Sequence, residues 1–369
     1  VPAADPKSIN PKPVNPRSSD ARDVAPSGFA TFTPSAAQVE QAVGHLVRIV
    51  DVDSTSGAEE PAIAVAEAIC DELGLPHRRM PVAPGRDNLV VGPPDAAIVF
   101  CTHLDTVPPF IPASRDATHV HGRGACDAKG VGVAMLHALQ LLSAEGAAER
   151  VGCLLVVGEE ADHVGARAAV EAGVRPSHII LGEPCGLAPS VAQKGLLKLS
   201  LTATGSAGHS AYPELGISAV HILIDALHAI RHATLPHDDL LGETTVNVGE
   251  IHGGVAANVI APEARATVLI RCAAPVDAVL AAVRDLAPAP IRIAELSRAE
   301  PREFLTGGVP TGPAVPFNTD AGWLAATGAE LMLLGPGDMR CAHGPHERLA
   351  ISDLAAGIAA YARTAARLL

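Results

Sequence analysis

The chain has 369 residues, is 48% hydrophobic and 18% charged, and carries a formal net charge of −13. That length and apolar content suit a globular protein large enough for two domains. The acidic balance excludes a nucleic-acid groove or an anionic membrane surface, both of which need clustered Lys and Arg. Its apolar windows are broken by charges or glycines well short of the roughly 20 residues of a membrane span.

In chain order, VPAADPKSINPKPVNPRSSDARDVAPSG is rich in Pro, Ser and Asn without hydrophobic period, so residues 1–34 are expected to form a disordered tail. No basic segment followed by an apolar one opens the chain, and no secretory signal is read there. Order is predicted from SAAQVEQAVGHLVRIV, whose apolar positions recur at helical spacing behind a capping Ser35. Strands then alternate with helical patterns. NLVVG, AAIVFCTHL, GCLLVVGEE and SHIILGEP read as strands, and AKGVGVAMLHALQLLSAEG as a helix. This alternation predicts an α/β domain around a mixed, largely parallel sheet.

The texture changes near Lys194. KLSLTATG, TTVNVGEIHGG, ARATVLIRCA and IRIAEL alternate as half-exposed strands do, and ISAVHILIDALHAIRHA and VDAVLAAVRDLA read as helices. Residues 192–300 are therefore expected to form an inserted α+β domain with one sheet face open for a partner. It divides the main domain into residues 35–191 and 301–369, the second part closing with GAELMLLGPGD and the helix ISDLAAGIAAYARTAARLL. The seven cysteines, at 70, 101, 126, 153, 185, 272 and 341, are scattered without a C-x-x-C. They read as reduced thiols filling apolar space rather than as metal ligands, and they make the cytoplasm the expected location.

Open α/β sheets place ligands beyond the carboxyl ends of their strands, and acidic and His residues collect there. AAIVFCTHLDTVPP delivers His103 and Asp105, GCLLVVGEE delivers Glu159 and Glu160, and SHIILGEP delivers Glu183. GRGACDAKG sets Asp127 at a helix start, where the helix dipole tolerates negative charge, and CAHGPHE supplies His343. Singly, such residues are more often caps or solvated turns; their conjunction at successive strand ends and a helix start carries the reading. In an extended strand, Asp105 would share a face with His103 and fix its tautomer, as carboxylates behind metal-bound imidazoles do. Asp127, Glu160 and Glu183 gathered in one crevice bring about −3, a repulsion of several kcal/mol that two divalent cations and a hydroxide would relieve. Oxygen and imidazole donors without thiolate suit Zn²⁺, Mn²⁺ or Co²⁺. Cations about 3.5–4 Å apart need one bridging carboxylate, and short Asp127 is the candidate. Adjacent residues at a strand end point to opposite sides, so one of Glu159 and Glu160 would bind metal while the other moves the water's proton. We assign Glu160 to the metal and Glu159 to the proton, although the residues alone do not decide between them.

The motifs CTHLDTVPP, GRGACDAKG, VVGEEADHVGA, LGEP, GSAGHSAYPELG, GGVAANVIAPEA and CAHGPHE together resemble the M20 family of di-zinc amidohydrolases and metallopeptidases, in family order from about residue 40 onward. The resemblance implies a discontinuous zinc-hydrolase domain with a ferredoxin-like dimerisation and lid domain inserted. It implies one metal on His103 and Glu183, a second on Glu160 and His343, Asp127 bridging, Asp105 orienting His103 and Glu159 as general acid/base. It also implies that His209 reaches the site of a second subunit to polarise the scissile carbonyl. Asn258, Arg271 and the glycine loop of Gly335 and Gly337 would contact substrate, with Arg271 suited to clamp a carboxylate. VPPFIP and GRGACDAKG look most like the acetylornithine deacetylase and succinyl-diaminopimelate desuccinylase branch. The expected function is thus deacylation of an N-acyl amino acid by a cytoplasmic homodimer serving amino-acid biosynthesis. A carboxypeptidase or dipeptidase on the same machinery, and a non-catalytic dimeric binding protein, are the other readings.

Overall fold

The computed structural model describes residues 32–369 apart from positions 94, 148 and 288. Most of the expected tail lies outside the described residues; of its last three, Phe32 is already buried in the main core.

Helix α1 (Ala36–Val50) begins as its sequence requires. Ser35 Oγ accepts from the amide of Gln38, and Gln38 Oε1 accepts from the amide of Ser35, which closes a reciprocal cap. Helix α2 (Glu60–Leu73) and the hairpin of β1 (His77–Ala83) and β2 (Arg86–Val91) follow. Neither α2 nor β1 is among the elements expected from the sequence; in β1, HRRMPVA mixes Pro and charge. Arg79 in β1 instead forms ion pairs with Glu60 and Glu67 of α2.

The main sheet adds β3 (Ile98–His103), β4 (Val151–Val156), β5 (His178–Leu181) and, late in the chain, β10 (Glu330–Leu333). Its order is β1-β2-β4-β3-β5-β10. The pairs β4/β3, β3/β5 and β5/β10 are parallel, and the β1–β2 edge is antiparallel. Side chains along β3 and β4 alternate between two cores: Ile98, Phe100, Cys153 and Leu155 face one, Val99, Cys101, Leu154 and Val156 the other. Both faces are covered, which is why these strands read as continuous apolar runs. Helices α1, α2, α3 (Lys129–Ala144) and α8 (Ile351–Leu368) cover the first face, and α4 (Val164–Glu171) with the short α7 (Ala321–Leu324) covers the second.

Between β5 and β10 the chain builds a second sheet from β6 (Gly195–Thr204), β7 (Thr245–Gly253), β8 (Glu263–Cys272) and β9 (Ile291–Ala299), with α5 (Ala219–His232) and α6 (Val276–Leu286). All its pairs are antiparallel in the order β7-β8-β6-β9, the βαββαβ arrangement of a ferredoxin-like unit. It has its own core: Leu197, Leu199 and Leu201 of β6 and Ala266, Val268 and Ile270 of β8 pack under α5 and α6. The intervening residues, Arg271 among them, lie on the face away from the helices. A short antiparallel pair, Ala192–Gln193 with Arg302–Glu303, marks where the chain leaves and re-enters the main unit. Among the described residues no helix is long and apolar enough to cross a membrane.

Candidate metal centre

Parallel pairing brings the carboxyl ends of β3, β4, β5 and β10 to one edge of the main sheet. His103 is the last residue of β3 and is buried. Its Nδ1 lies 2.9 Å from the Asp105 carbonyl, which accepts a hydrogen bond only if Nδ1 carries the proton. Nε2, 3.2 Å from Asp127 Oδ1, is then the ring nitrogen left to bind a cation. The expected alignment of the Asp105 carboxylate on this imidazole is only partly met, with Oδ1 3.5 Å from Nδ1. The strand stops at His103, so its two-residue alternation does not extend to Asp105. The carboxylate turns instead to Ser56 Oγ at 2.6 Å and to the amides of Glu159 and Glu160 at 3.0 and 3.1 Å. Burial opposes its ionisation, but His103, Ser56 and the Glu160 amide outweigh that and hold it below the usual carboxylate range.

Asp127 stands at the centre. Its Oδ1 faces His103 and its Oδ2 faces His343 Nε2 at 3.2 Å, and the same Nε2 is 2.8 Å from Glu160 Oε1. Two donor sets result, His103–Asp127–Glu183 and Asp127–Glu160–His343, and within each set one donor atom per residue lies within 4.8 Å of the others. Asp127 belongs to both. The five residues expected to ligate metal are thus brought together. Asp127 and Glu183 are buried, and His343 is half-exposed at the mouth.

The charges of this cluster do not balance among themselves. Burial, reinforced by the nearby carboxylates of Asp127, Glu160 and Asp320, pushes Glu183 well above its ordinary range despite His103. Hydrogen bonds to Asp127 and Glu160 push His343 up to about 10. His103 is also raised, its carboxylate partners outweighing a large desolvation cost. Protons shared among crowded carboxylates and imidazoles stand where divalent cations would be held. The donors are all oxygen and imidazole nitrogen, and no cysteine enters either set among the described residues. The Cys126 thiol, next in sequence to Asp127, points to the Asp338 carbonyl at 3.6 Å, and burial raises its pKa, which keeps it protonated. These residues fit a pair of borderline-hard divalent ions.

Glu159 and Glu160 diverge as expected, but for a different reason. β4 ends at Val156, Gly158 takes a left-handed φ of 79°, and the two glutamates sit in a turn rather than on a pleat. A side chain at Gly158 would also meet Asp162 Oδ1 at 2.4 Å. Glu160 joins the second donor set, whereas Glu159 faces a third group with His163 and Asp320. Burial comes first, followed by the Glu183, Asp320 and Glu160 charges, in pushing Glu159 well above the usual range. His163 and Asp320 were not foreseen. His163 Nδ1 is 2.9 Å from Asp320 Oδ1, and its ring stacks on Trp323 with centroids 3.7 Å apart. They lie 157 positions apart; the signals on offer were Asp320 at the start of a short helix and a polar His163 close behind the paired glutamates.

The other expected residues divide. Arg271 is half-buried; desolvation depresses its pKa, and the charges of Glu159 and Glu160 work against that shift, so the guanidinium lies within their field. His209 and Asn258 are exposed in one loop cluster of the second unit. His209 bridges to Val259 and accepts the Ala211 amide, and the Asn258 carbonyl accepts from the Ser210 amide. Neither belongs to the donor sets of its own chain. Gly335 and Gly337 make close packing contacts. A Cβ at Gly335 would lie 2.4 Å from the Glu183 carbonyl, and one at Gly337 2.8 Å from Cys126 Sγ. These glycines let the loop after β10 press against the backbone beside the centre.

The family model described as peptidase family M20/M25/M40 matches residues 99–367. The chain belongs to peptidase family M20. It is therefore a metallopeptidase-family hydrolase of peptide or amide bonds. A probable carboxypeptidase of Aspergillus terreus is 34% identical over 360 residues, covering 85% of this chain and 83% of that protein. Among solved structures, a tripeptidase of Staphylococcus aureus shares the fold with a TM-score of 0.74 at 20% identity, covering 89% of this chain and 99% of that one. A dinuclear metal-binding M20 peptidase of Bacillus subtilis does so with a TM-score of 0.68 at 14% identity, covering 91% and 99%.

Proposed function

We propose that this M20 hydrolase is a two-metal exopeptidase that releases a residue with a free α-carboxylate from a short peptide. The observation that carries the reading is Asp127, each of whose oxygens faces a different imidazole, each imidazole in a set completed by a separate glutamate. His103 and Glu183 would hold one cation, Glu160 and His343 the other, and Asp127 would bridge. The dinuclear centre of the Bacillus subtilis peptidase supports this. Zinc is the first choice for a site of oxygen and imidazole donors, with cobalt or manganese as substitutes. Bound there, the cations would polarise the scissile carbonyl and lower the pKa of the attacking water.

Glu159 accepts the water's proton as the oxygen bonds to the carbonyl carbon. It returns that proton to the amide nitrogen as the C–N bond breaks, leaving one carboxylic acid and one amine. Arg271, close to both glutamates, holds the α-carboxylate of the leaving residue. The same arrangement accepts a small acyl group in place of a peptide. An N-acyl amino acid deacylase of the acetylornithine type is therefore the second reading, favoured by VPPFIP and GRGACDAKG. The carboxypeptidase reading comes first because the Aspergillus relative is named for that activity.

His209 and Asn258 complete the site from a second copy in this proposal, the unit of residues 192–300 serving as dimerisation and lid domain. Exposed apolar side chains on that unit, Ile224, Ile251, Val255 and Leu296, support a partner surface. The seven free cysteines support a reducing, cytoplasmic setting.

The test is product release from dipeptides, tripeptides, their C-terminal amides and N-acetyl amino acids, with added Zn²⁺ or Co²⁺ and again with chelator. Metal-dependent release of the C-terminal residue from free-acid peptides, with the amides spared, is expected. Turnover confined to N-acetyl amino acids would replace the peptidase by the deacylase, and equal turnover of the amides would remove the role of Arg271.

A further inference from the structure

Beneath the donor sets lies a second buried carboxylate that the chemistry above does not use. Glu347 follows the His343 segment and is 1% exposed. Its Oε1 accepts three backbone N–H groups, from Gly124 at 2.9 Å, Cys126 at 3.2 Å and Asp127 at 3.1 Å. Its Oε2 accepts from Arg123 Nη1 at 2.5 Å. Arg123, also buried, donates in addition to the carbonyls of Pro109, His343 and Gly344, each at 3.3 Å.

We propose that Glu347 and Arg123 are positioning residues that lock the two donor sets to each other: Glu347 shapes the loop that aims Asp127, and Arg123 ties that loop to the segment carrying His343. The inference rests on the two-cation reading of the site. A buried carboxylate needs only the guanidinium to balance its charge; three amides converging on one oxygen mean that the 124–127 loop is folded around the negative charge. Glutamine cannot replace it, although it has the same shape. Its NH₂ would face either three N–H donors or a guanidinium, and no rotation of the amide avoids both. Lysine cannot replace Arg123, because a single ammonium lacks the planar fork that reaches Glu347 and three carbonyls at once.

The experiment strips the full-length protein with chelator and titrates it with Co²⁺, following the visible absorption of the bound ion and the metal content per chain, with kcat and KM measured on the loaded protein. The parent is expected to bind two ions. Arg123→Lys, which leaves the loop's own amide contacts in place, is expected to weaken one of the two by about tenfold or more. Glu347→Gln is expected to weaken both and change the Co²⁺ spectrum. In both variants kcat falls more than KM changes. Two ions bound with parental affinity and spectrum in Arg123→Lys would overturn the proposal, and that variant decides alone if Glu347→Gln does not fold. A parent that binds fewer than two ions would instead overturn the two-cation reading, and the proposal with it.

Discussion

The edge of the main sheet and the inserted ferredoxin-like unit treat their polar residues in opposite ways. At the sheet edge, His103, Asp105 and Asp127 are buried and bound to one another or to backbone amides, and Glu183 is buried beside His103 and Asp127. In the insert, His209 and Asn258 stand exposed on a loop cluster whose hydrogen bonds join backbone groups of the insert to one another or to His209. Burial of a charged group is costly unless partners are in place, so the sheet edge is a site assembled by its own chain. Polar residues left in solvent have no such requirement and are available to a partner or to substrate. Each prediction below pulls on one side of this contrast.

The largest effect is expected inside the assembled site. Glu159→Gln preserves shape and removes the basic oxygen, so kcat should fall by about 10²–10⁴-fold, while metal content stays that of the parent because Glu159 belongs to neither donor set. Steady-state kinetics together with metal analysis checks both halves. Turnover close to the parent's would place the proton transfer elsewhere, His163 being the nearest alternative through its contact with Glu159.

On the insert side, His209→Ala should lower kcat by about 100-fold if the imidazole stabilises charge on the carbonyl oxygen. Because His209 would act on the neighbouring copy's site, mixing His209→Ala with Glu159→Gln should restore activity. Random exchange puts about half of the dimers in the mixed form with one intact site each, so about a quarter of all sites are restored. No recovery, after subunit exchange has been demonstrated, would leave His209 without a role across the interface. Arg271→Leu tests the residue between the two regions. Losing a charge-assisted contact of roughly 1.5–3 kcal/mol should raise KM for free-acid substrates by about 10- to 100-fold. C-terminal amides should be untouched, since they offer no carboxylate to lose.

How much of this was legible in the sequence follows the same division. Four of the five candidate ligands, His103, Asp127, Glu160 and Glu183, were readable because each sits within a few residues of an apolar strand end or a helix start, where local pattern and position in the fold coincide. The core of the insert was readable too, since β6 and β8 alternate cleanly under α5 and α6. What holds the ligands in place was not. Asp105 binds the amides of residues 54 and 55 positions away, and Glu347 binds amides more than 200 positions away. A sequence records side chains, and nothing in it shows which backbone N–H groups the sheet leaves over. The stacking of His163 on Trp323 is hidden for a related reason, because it depends on how the loops covering the second face of the sheet meet.

The smallest effect concerns stability, and it carries the contrast from the site to the core. His137 of α3 is 2% exposed and shares a 3.0 Å hydrogen bond with His45 of α1, which in turn reaches Glu72 at 3.0 Å. Burial, helped by His45, lowers its pKa to about 4, against about 6.5 in an unfolded chain. Between these values the unfolded chain binds a proton that the folded chain refuses, so stability is fully present above about 6.5 and is lost as pH falls toward 4. The whole window amounts to about 3 kcal/mol. His137→Gln keeps an amide against His45 but does not titrate. Its urea midpoint should therefore fall less steeply than the parent's between pH 7 and pH 5. Parallel slopes for the parent and His137→Gln would mean that the buried pair accepts its proton without cost, and that the main core tolerates charge as readily as the insert's surface does.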